Sequence, residues 1–533
     1  MEKRISVWRF VAVLLAAVGC NSRGLAEQPK APVDADVLLR GGTLHVGDGA
    51  PGVKGDVAIV ADRIVAVGHF DVGRIGHEID CRGLVVCPGF IDLHNHSDRQ
   101  VLKKSTRAVV NYLTQGCTTI VTGNCGSGPV DVGKYYKQMD DFGVGVNVAH
   151  LLPQGALRRK VMGQERRKAS PDELSQMKKL AEQAMRDGAW GMSTGLIYVP
   201  SSYADTAELI EIAKVVSKYD GLYVSHIRNE NLELLSAVNE AVEIGREAKL
   251  AVHISHFKSS GKNSWGLVRV ASELIEKHRR DGQRITADQY PYTASSTSLD
   301  ATVIPPWARA GGRDKMLKRL NDEKQGKLIR AAIIKKLRET DGGQRLQIAS
   351  YRPQPSWSGK RIAEIAQDEK IEPLELVLQI TRAGGASIVN HSINEEDVRY
   401  VMTRPWVATA SDGRAYVPSA TVPHPRNYGT FPRKIGHYAV REKAISLAAA
   451  IRSATGLPAD ILGMADRGYL RPQSHADVIV LDPEKFLDTA TFADPHRYSQ
   501  GIEHVLVNGQ FAIIHGKPTG SLAGRALPRN ISD

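Results

Sequence analysis

The sequence predicts an α/β protein: a (β/α)8 barrel, a β-sandwich satellite domain built from both termini, and a lid inserted between barrel strands seven and eight. Three observations predict it. Short β-like runs at both ends flank an α/β middle, in which eight strand-like runs alternate with helix-like ones, as in a parallel sheet with crossover helices. The seventh and eighth runs are separated by residues 290–405, far beyond an ordinary connection. A chain of 533 residues accommodates a barrel of about 250 residues and further layers.

Composition excludes several classes. Hydrophobic content of 42%, charged content of 24% and 49 glycines describe a globular protein, not a disordered or fibrous one. The net charge of +12 is dispersed, and its densest stretch, 313–338, carries Asp314, Asp322 and Glu323 among its basic residues. No basic motif interleaved with aromatics accompanies it, which argues against nucleic-acid binding.

The elements follow in order. Lys3, Arg4 and Arg9 precede an apolar run at 10–18, too short for a permanent membrane helix but suited to a signal peptide over 1–20. Export, to the periplasm or a membrane surface, is the expectation. Ala17-Val18-Gly19-Cys20 resembles a bacterial lipoprotein box with alanine where leucine is usual, so a lipid anchor at Cys20 and plain secretion both stay open. Residues 21–34, polar with Pro29 and Pro32, read as a tether. Residues 35–87 hold the strand-like runs Val37-Leu38-Leu39-Arg40, Val57-Ala58-Ile59-Val60 and Ile64-Val65-Ala66-Val67-Gly68, the first part of the satellite.

The barrel is expected over 88–465, with strands at 86–94, 118–124, 145–150, 189–194, 222–226, 251–256, 284–289 and 406–410. Leu174, Met177, Leu180, Ala181 and Ala184 recur at helical spacing, as do Leu209, Ile212, Ala213 and Val216. The lid occupies about 299–385, and 466–533 returns to the satellite through Ala476-Asp477-Val478-Ile479-Val480-Leu481 and the run at 504–509.

Chemistry in such barrels sits at the C-terminal rim of the strands. There Pro88-Gly89-Phe90-Ile91-Asp92-Leu93-His94-Asn95-His96 delivers two imidazoles to one side. His-x-His pairs are common by chance; the rim position favours metal binding. His226 and His256 end two further strands, whereas His253 should face away as a structural residue. Asp412, before Gly413, has the look of a turn residue, yet its place on the last strand suits a metal ligand or proton carrier.

The order His94, His96, His226, His256, Asp412 resembles the amidohydrolase superfamily, whose barrels take metal ligands from strands one, five, six and eight. Many members add a carboxylated lysine from strand four; here Trp190-Gly191-Met192-Ser193-Thr194 contains none. Cys125, after strand two in Thr122-Gly123-Asn124-Cys125-Gly126, offers a thiolate instead. A cysteine near a strand is more often a buried small hydrophobe, but thiolate is a strong zinc ligand. With Gly195-Leu196-Ile197-Tyr198-Val199-Pro200, Ser225-His226-Ile227-Arg228-Asn229-Glu230, Asp288-Gln289-Tyr290-Pro291-Tyr292 and His424-Pro425-Arg426-Asn427, the chain resembles the N-acyl-D-amino-acid deacylases (D-aminoacylases).

That resemblance implies one or two zinc ions, the firmer held by Cys125, His226 and His256 and a second by His94, His96 and Asp412. It implies hydrolysis of a small N-acyl amino acid, with Asp412 carrying the proton. Arg426 is expected to grip the substrate carboxylate, helped by Tyr198, Lys258 and Tyr292; tyrosines packing at barrel ends and a solvated Lys258 are the bland alternatives. Rival readings are a cyclic-amide hydrolase of dihydroorotase or hydantoinase type and a catalytically silent, ligand-binding lipoprotein.

Overall fold

The computed structural model describes residues 31–530. The expected signal segment, Cys20 and residues 21–30 of the tether lie outside them. Among the described residues no helix is long and apolar enough to cross a membrane.

Eight parallel strands form the barrel: Phe90–Asp92, Cys117–Thr122, Asn147–His150, Gly191–Gly195, Leu222–His226, Ala251–Ile254, Ile285–Gln289 and Val407–Thr409. Strands one to three pair in one ladder, strands four to eight in another. Leu152–Pro153, continuing strand three, pairs with strand four, and a bridge from Asn95 to Gly413 joins strand one to strand eight. At that seam the Asp412 amide donates to His94 O at 2.8 Å and the His96 amide to Gly413 O at 2.7 Å. The backbone that closes the barrel therefore also sets three candidate ligands side by side.

Alternation sorts the side chains. Leu222 and Val224 join Ile91, Val121, Ala149 and Ala408 in the inner core, so His226 at the same period points inward as well. Tyr223 and Val252 face the surrounding helices. Among these, Pro171–Arg186 begins with a Ser170–Glu173 capping box and buries Met177, Ala181, Ala184 and Met185.

The satellite is a single nine-stranded sheet containing strands from both ends of the chain. Strand Val33–Leu44 breaks register between Leu39 and Gly42, and Leu39, Val57 and Ile59 share one apolar cluster with Val478, Val480 and Leu506. Three boundaries differ from expectation. The first strand starts at Val33, paired with Val72, so the tether ends earlier than residue 34. The run at 86–94 is two elements: Val85–Pro88 belongs to the satellite and Phe90–Asp92 to the barrel. Gly89 separates them because a Cβ there would meet Thr118 Oγ1 at 2.0 Å. Finally, the tail leaves the satellite: the Leu527 amide donates to Val148 O and the Arg529 amide to Gly188 O, both at 2.9 Å, strapping strands three and four.

The insertion is bounded by strands Ser295–Ser298 and Ser387–Asn390, which with Leu346–Ser350 make a small antiparallel sheet. It is thus somewhat longer than 299–385, because its flanking strands belong to it. Its helices, including Glu323–Glu339 and Pro373–Arg382, pack on a core of their own.

Candidate metal centre

Six side chains from five barrel strands and their loops meet at the rim. Cys125 Sγ lies 3.3 Å from His94 Nε2, 3.5 Å from His226 Nδ1 and 3.8 Å from His256 Nε2. His226 Nδ1 and His256 Nε2 are 2.8 Å apart. Asp412 Oδ1 lies 3.0 Å from His96 Nε2 and 3.6 Å from His94 Nε2. Three overlapping trios, Cys125 with His94 and His96, Cys125 with His226 and His256, and Asp412 with His94 and His256, each have their ligand atoms within 4.8 Å of one another.

The donor set fits zinc. Tetrahedral ligation at about 2.0–2.1 Å for nitrogen and about 2.3 Å for sulfur places neighbouring ligand atoms about 3.3–3.6 Å apart. The sulfur's distances to His94 and His226 match that spacing, that to His256 is slightly longer at 3.8 Å, and the His226–His256 edge is shorter. A buried thiolate with imidazoles is zinc chemistry in kind, so Cys125, His226 and His256 would hold one ion and His94, His96 and Asp412 could hold another.

Cys125 arrives by a tight turn. It sits in left-handed backbone, φ 51°, between Gly123 and Gly126, themselves at φ 79° and 67°. The turn lies on the end of strand four: the Gly126 amide donates to Ser193 Oγ at 3.0 Å, and a Cβ on Gly195 would stand 2.2 Å from Cys125 O. Small residues on strand four thus leave room for the cysteine.

The charges are balanced by groups that sequence reasoning missed. Asp288, ending strand seven, accepts the His256 amide at 2.6 Å and lies 2.8 Å from His253 Nε2. It also approaches His94 Nδ1 at 3.4 Å, without hydrogen-bond alignment. His253 is thereby a structural histidine that braces a carboxylate behind the cluster. Glu230 Oε1 sits 2.9 Å from His256 Nδ1 and 2.6 Å from Lys258 Nζ. The available signal was position: Glu230 lies just past the strand that ends in His226, and Asp288 lies at the end of strand seven.

Burial pushes the Cys125 thiol up, but the His94 charge and hydrogen bonds from the three imidazoles outweigh it and hold the thiol well below its ordinary value. Burial likewise raises Asp412, Asp288 and Glu230, and each ends below the usual carboxylate range: Asp412 through Arg426 and His94, Asp288 through His94 and His253, Glu230 through Lys258 and His256. Without a cation, His96 is driven to about 9: burial lowers it, and Asp412 and Cys125 more than reverse this.

The cluster opens on a cavity of about 600 Å³ lined by His226, His256, Asp412, Tyr198, Lys258 and Tyr290, with Ala332, Lys335, Lys336 and Glu339 from the insertion. Tyr198 packs edge-on to His226 at 5.1 Å between centroids and hydrogen-bonds Thr297 Oγ1 at 3.1 Å. Lys258 lines the cavity but is paired with Glu230, so it is not simply solvated. Arg426 and Tyr292, expected at the substrate, lie outside the cavity lining. Arg426, only 5% exposed and absent from the cavity lining, gives Nη1 to Asp412 Oδ2 at 2.7 Å and stacks over Tyr290. Nη1 thus holds Asp412 in place, while Nη2 donates to Ser296 O at 3.4 Å on the cavity wall. Tyr292 turns away behind the rim, under Arg433, because the chain bends where its amide donates to Tyr290 O at 3.0 Å. Tyr290 takes the cavity wall, its buried hydroxyl unpartnered.

The amidohydrolase family model matches residues 77–513, most of the chain. The chain belongs to the amidohydrolase family. This amidohydrolase is 34% identical to the D-aminoacylase of Alcaligenes xylosoxydans xylosoxydans, over 93% of this chain and 98% of that one. It is 31% identical to an N-acyl-D-glutamate deacylase of the same organism, over 93% and 97%. Among solved structures, the N-acyl-D-glutamate deacylase of Bordetella bronchiseptica, complexed with zinc and a phosphonate mimic of the tetrahedral intermediate, superposes with a TM-score of 0.79. It is 29% identical and covers 93% of this chain and 100% of that one.

Proposed function

We propose that this protein is a zinc-dependent hydrolase that cleaves the amide bond of N-acyl-D-amino acids, using water to give a carboxylate and a free D-amino acid. The observation that carries the reading is the convergence of Cys125 Sγ, His226 Nδ1 and His256 Nε2 within 2.8–3.8 Å of one another beside Asp412, at the mouth of a substrate-sized cavity. The relatives' D-amino-acid substrates supply the stereochemistry. Export, with or without a lipid on Cys20, belongs to the same proposal, on the basic-then-apolar order of residues 3–18.

Bound zinc supplies a Lewis acid for the amide carbonyl and makes a water acidic enough to ionise near neutral pH. The chain's own groups do the rest. Asp412 Oδ1, facing the cluster, takes the water's proton and returns it to the amine nitrogen, which must be protonated to leave. Arg426 holds Oδ2, so the same oxygen always faces the reaction. Glu230 orients His256 through Nδ1. Lys258 Nζ, already bonded to Glu230 and His256, attracts the α-carboxylate by its charge, and the unpartnered Tyr290 hydroxyl is the donor to it. The insertion roofs the cavity and limits water.

The test joins metal analysis to a substrate panel. Zinc-loaded protein should hydrolyse N-acetyl-D-amino acids over their L-enantiomers, and Cys125→Ala should lose the tight zinc and the activity together. Turnover of hydantoin or dihydroorotate in preference to linear amides would favour the cyclic-amide rival. Zinc binding with no hydrolysis of any amide would favour the silent binder, and full activity in Cys125→Ala would remove the metal site as drawn.

A further inference from the structure

Five cationic side chains line the cavity, Arg228, Lys258, Arg309, Lys335 and Lys336, with three carboxylates, Glu230, Glu339 and Asp412. Four of the cations are matched. Arg228 grips Glu240 at 2.8 Å, Lys258 meets Glu230 at 2.6 Å, Lys336 meets Glu339 at 2.7 Å, and Lys335 lies 4.0 Å from that same carboxylate. Arg309 is the exception. Among the described residues no carboxylate oxygen lies within 4.0 Å of its guanidinium.

Its hydrogen bonds run to neutral carbonyls: Nε donates to Ile304 O at 3.1 Å and Nη2 to Ile197 O at 3.3 Å. These two bonds fix the plane of the guanidinium and leave Nη1 without a protein partner. Asp300, a carboxylate that acts on Arg309 from farther off, is engaged by Thr381 Oγ1 at 2.8 Å and lies 3.9 Å from Arg313. A half-buried guanidinium with no counter-charge in contact is costly unless an anion visits it. Carbonyl bonds satisfy donors but do not neutralise charge.

The position suits a substrate group. The carbonyl held by Nη2 belongs to Ile197, adjacent to Tyr198, whose ring packs against His226. Arg309 and the metal cluster therefore share one wall. Leu196, Ile197, Val303 and Ile304 line the same cavity and offer apolar surface for methylenes.

We propose that Arg309 binds a second carboxylate of the substrate, separate from the α-carboxylate held near Lys258 and Tyr290, and that the enzyme prefers N-acyl-D-amino acids with an acidic side chain. A planar, pre-oriented guanidinium recognises carboxylate with directed hydrogen bonds. The inference rests on the deacylase reading given above.

The test measures kcat/KM of the full, zinc-loaded protein for N-acetyl-D-glutamate, N-acetyl-D-aspartate and N-acetyl-D-leucine, in wild type, Arg309→Gln and Arg309→Lys. Wild type should favour an acidic substrate. In Arg309→Gln, at unchanged zinc content, the ratio of acidic to leucine kcat/KM should fall by about 100-fold, chiefly through KM; Arg309→Lys should recover part of it. Wild-type preference for leucine, or an equal loss on all three substrates in the variants, overturns the assignment. If Arg309→Gln does not fold, the wild-type ranking and Arg309→Lys decide on the same criteria. Zinc-loaded wild type that hydrolyses none of the three overturns the deacylase reading itself, an outcome distinct from misplaced selectivity.

Discussion

Cys125, His256 and Asp412 occupy left-handed backbone at φ 51°, 36° and 50°, a region that non-glycine residues seldom enter. Each costs on the order of 1–3 kcal/mol and persists only where its surroundings fix it. Asp288 holds the His256 amide, and His94 O holds the Asp412 amide. These bends aim side chains that strand alternation alone would not bring together, and no residue type in the sequence announces them. What the sequence does display is the ligand types at strand ends, which is why His94, His96, His226, His256 and Asp412 could be picked out. Asp288 and Glu230 were obscured because a carboxylate at a strand end or in a loop has bland readings. Asp412 carries the prediction at this scale. Asp412→Asn should keep the zinc held by Cys125, His226 and His256 while kcat falls by about 10²–10⁴. Arg426 would lose its charge partner at 5% exposure, so some stability should go too. The measurement is kcat per zinc-loaded, folded molecule; a change within about 3-fold would take the proton-carrying role from Asp412.

At the scale of elements, the barrel strands were legible because each is a short apolar run with glycine or polar punctuation. Strand four shows what was not: its missing lysine was visible, but not that Ser193 and Gly195 seat the Cys125 turn. The helix bearing Arg426 shows another gap. Arg426–Pro432 continues as π-helical turns over Arg433–Arg441, and Lys434 on it is 1% exposed with Nζ unpartnered. A lysine in that basic stretch reads as solvated from sequence, yet burial brings its ammonium down to about 7. From about pH 7 to the unfolded lysine value of about 10.4, the unfolded chain binds a proton that the folded chain lacks. Its contribution to stability therefore rises with pH across that window. Below it both states are protonated, and the burden of the buried charge is complete. Lys434→Met should raise stability by on the order of 2–4 kcal/mol near pH 7, with the gain shrinking toward pH 10. Denaturant midpoints for both proteins at the two pH values check this; equal gains at both would mean that Lys434 is not held neutral by folding.

At the scale of the whole molecule, the insertion determines the shape of the cavity without belonging to the barrel core. Its position was evident from the length of 290–405, but its way of joining was not, because the entering strand Ser295–Ser298 has no apolar residue and the returning strand Ser387–Asn390 only two. Ser298 and Ser387 are direct antiparallel partners, so the chain enters and leaves the insertion at neighbouring points. That is the geometry of a domain inserted at a hairpin, and the insertion's separate apolar cluster gives it cooperativity of its own. Replacing residues 299–386 by Asn-Gly should close a two-residue hairpin between the flanking strands. The shortened protein should fold and bind zinc with unchanged stoichiometry, since every candidate ligand lies outside the deleted segment. It should nevertheless lose on the order of 100-fold in kcat/KM, because Arg309, Ala332, Lys335 and Lys336 leave the cavity wall and water enters. Zinc titration, thermal unfolding and amide hydrolysis separate the two contributions. A shortened chain that cannot fold would show that the barrel depends on the insertion for stability, whereas undiminished kcat/KM would show that the cavity's outer wall takes no part in holding substrate.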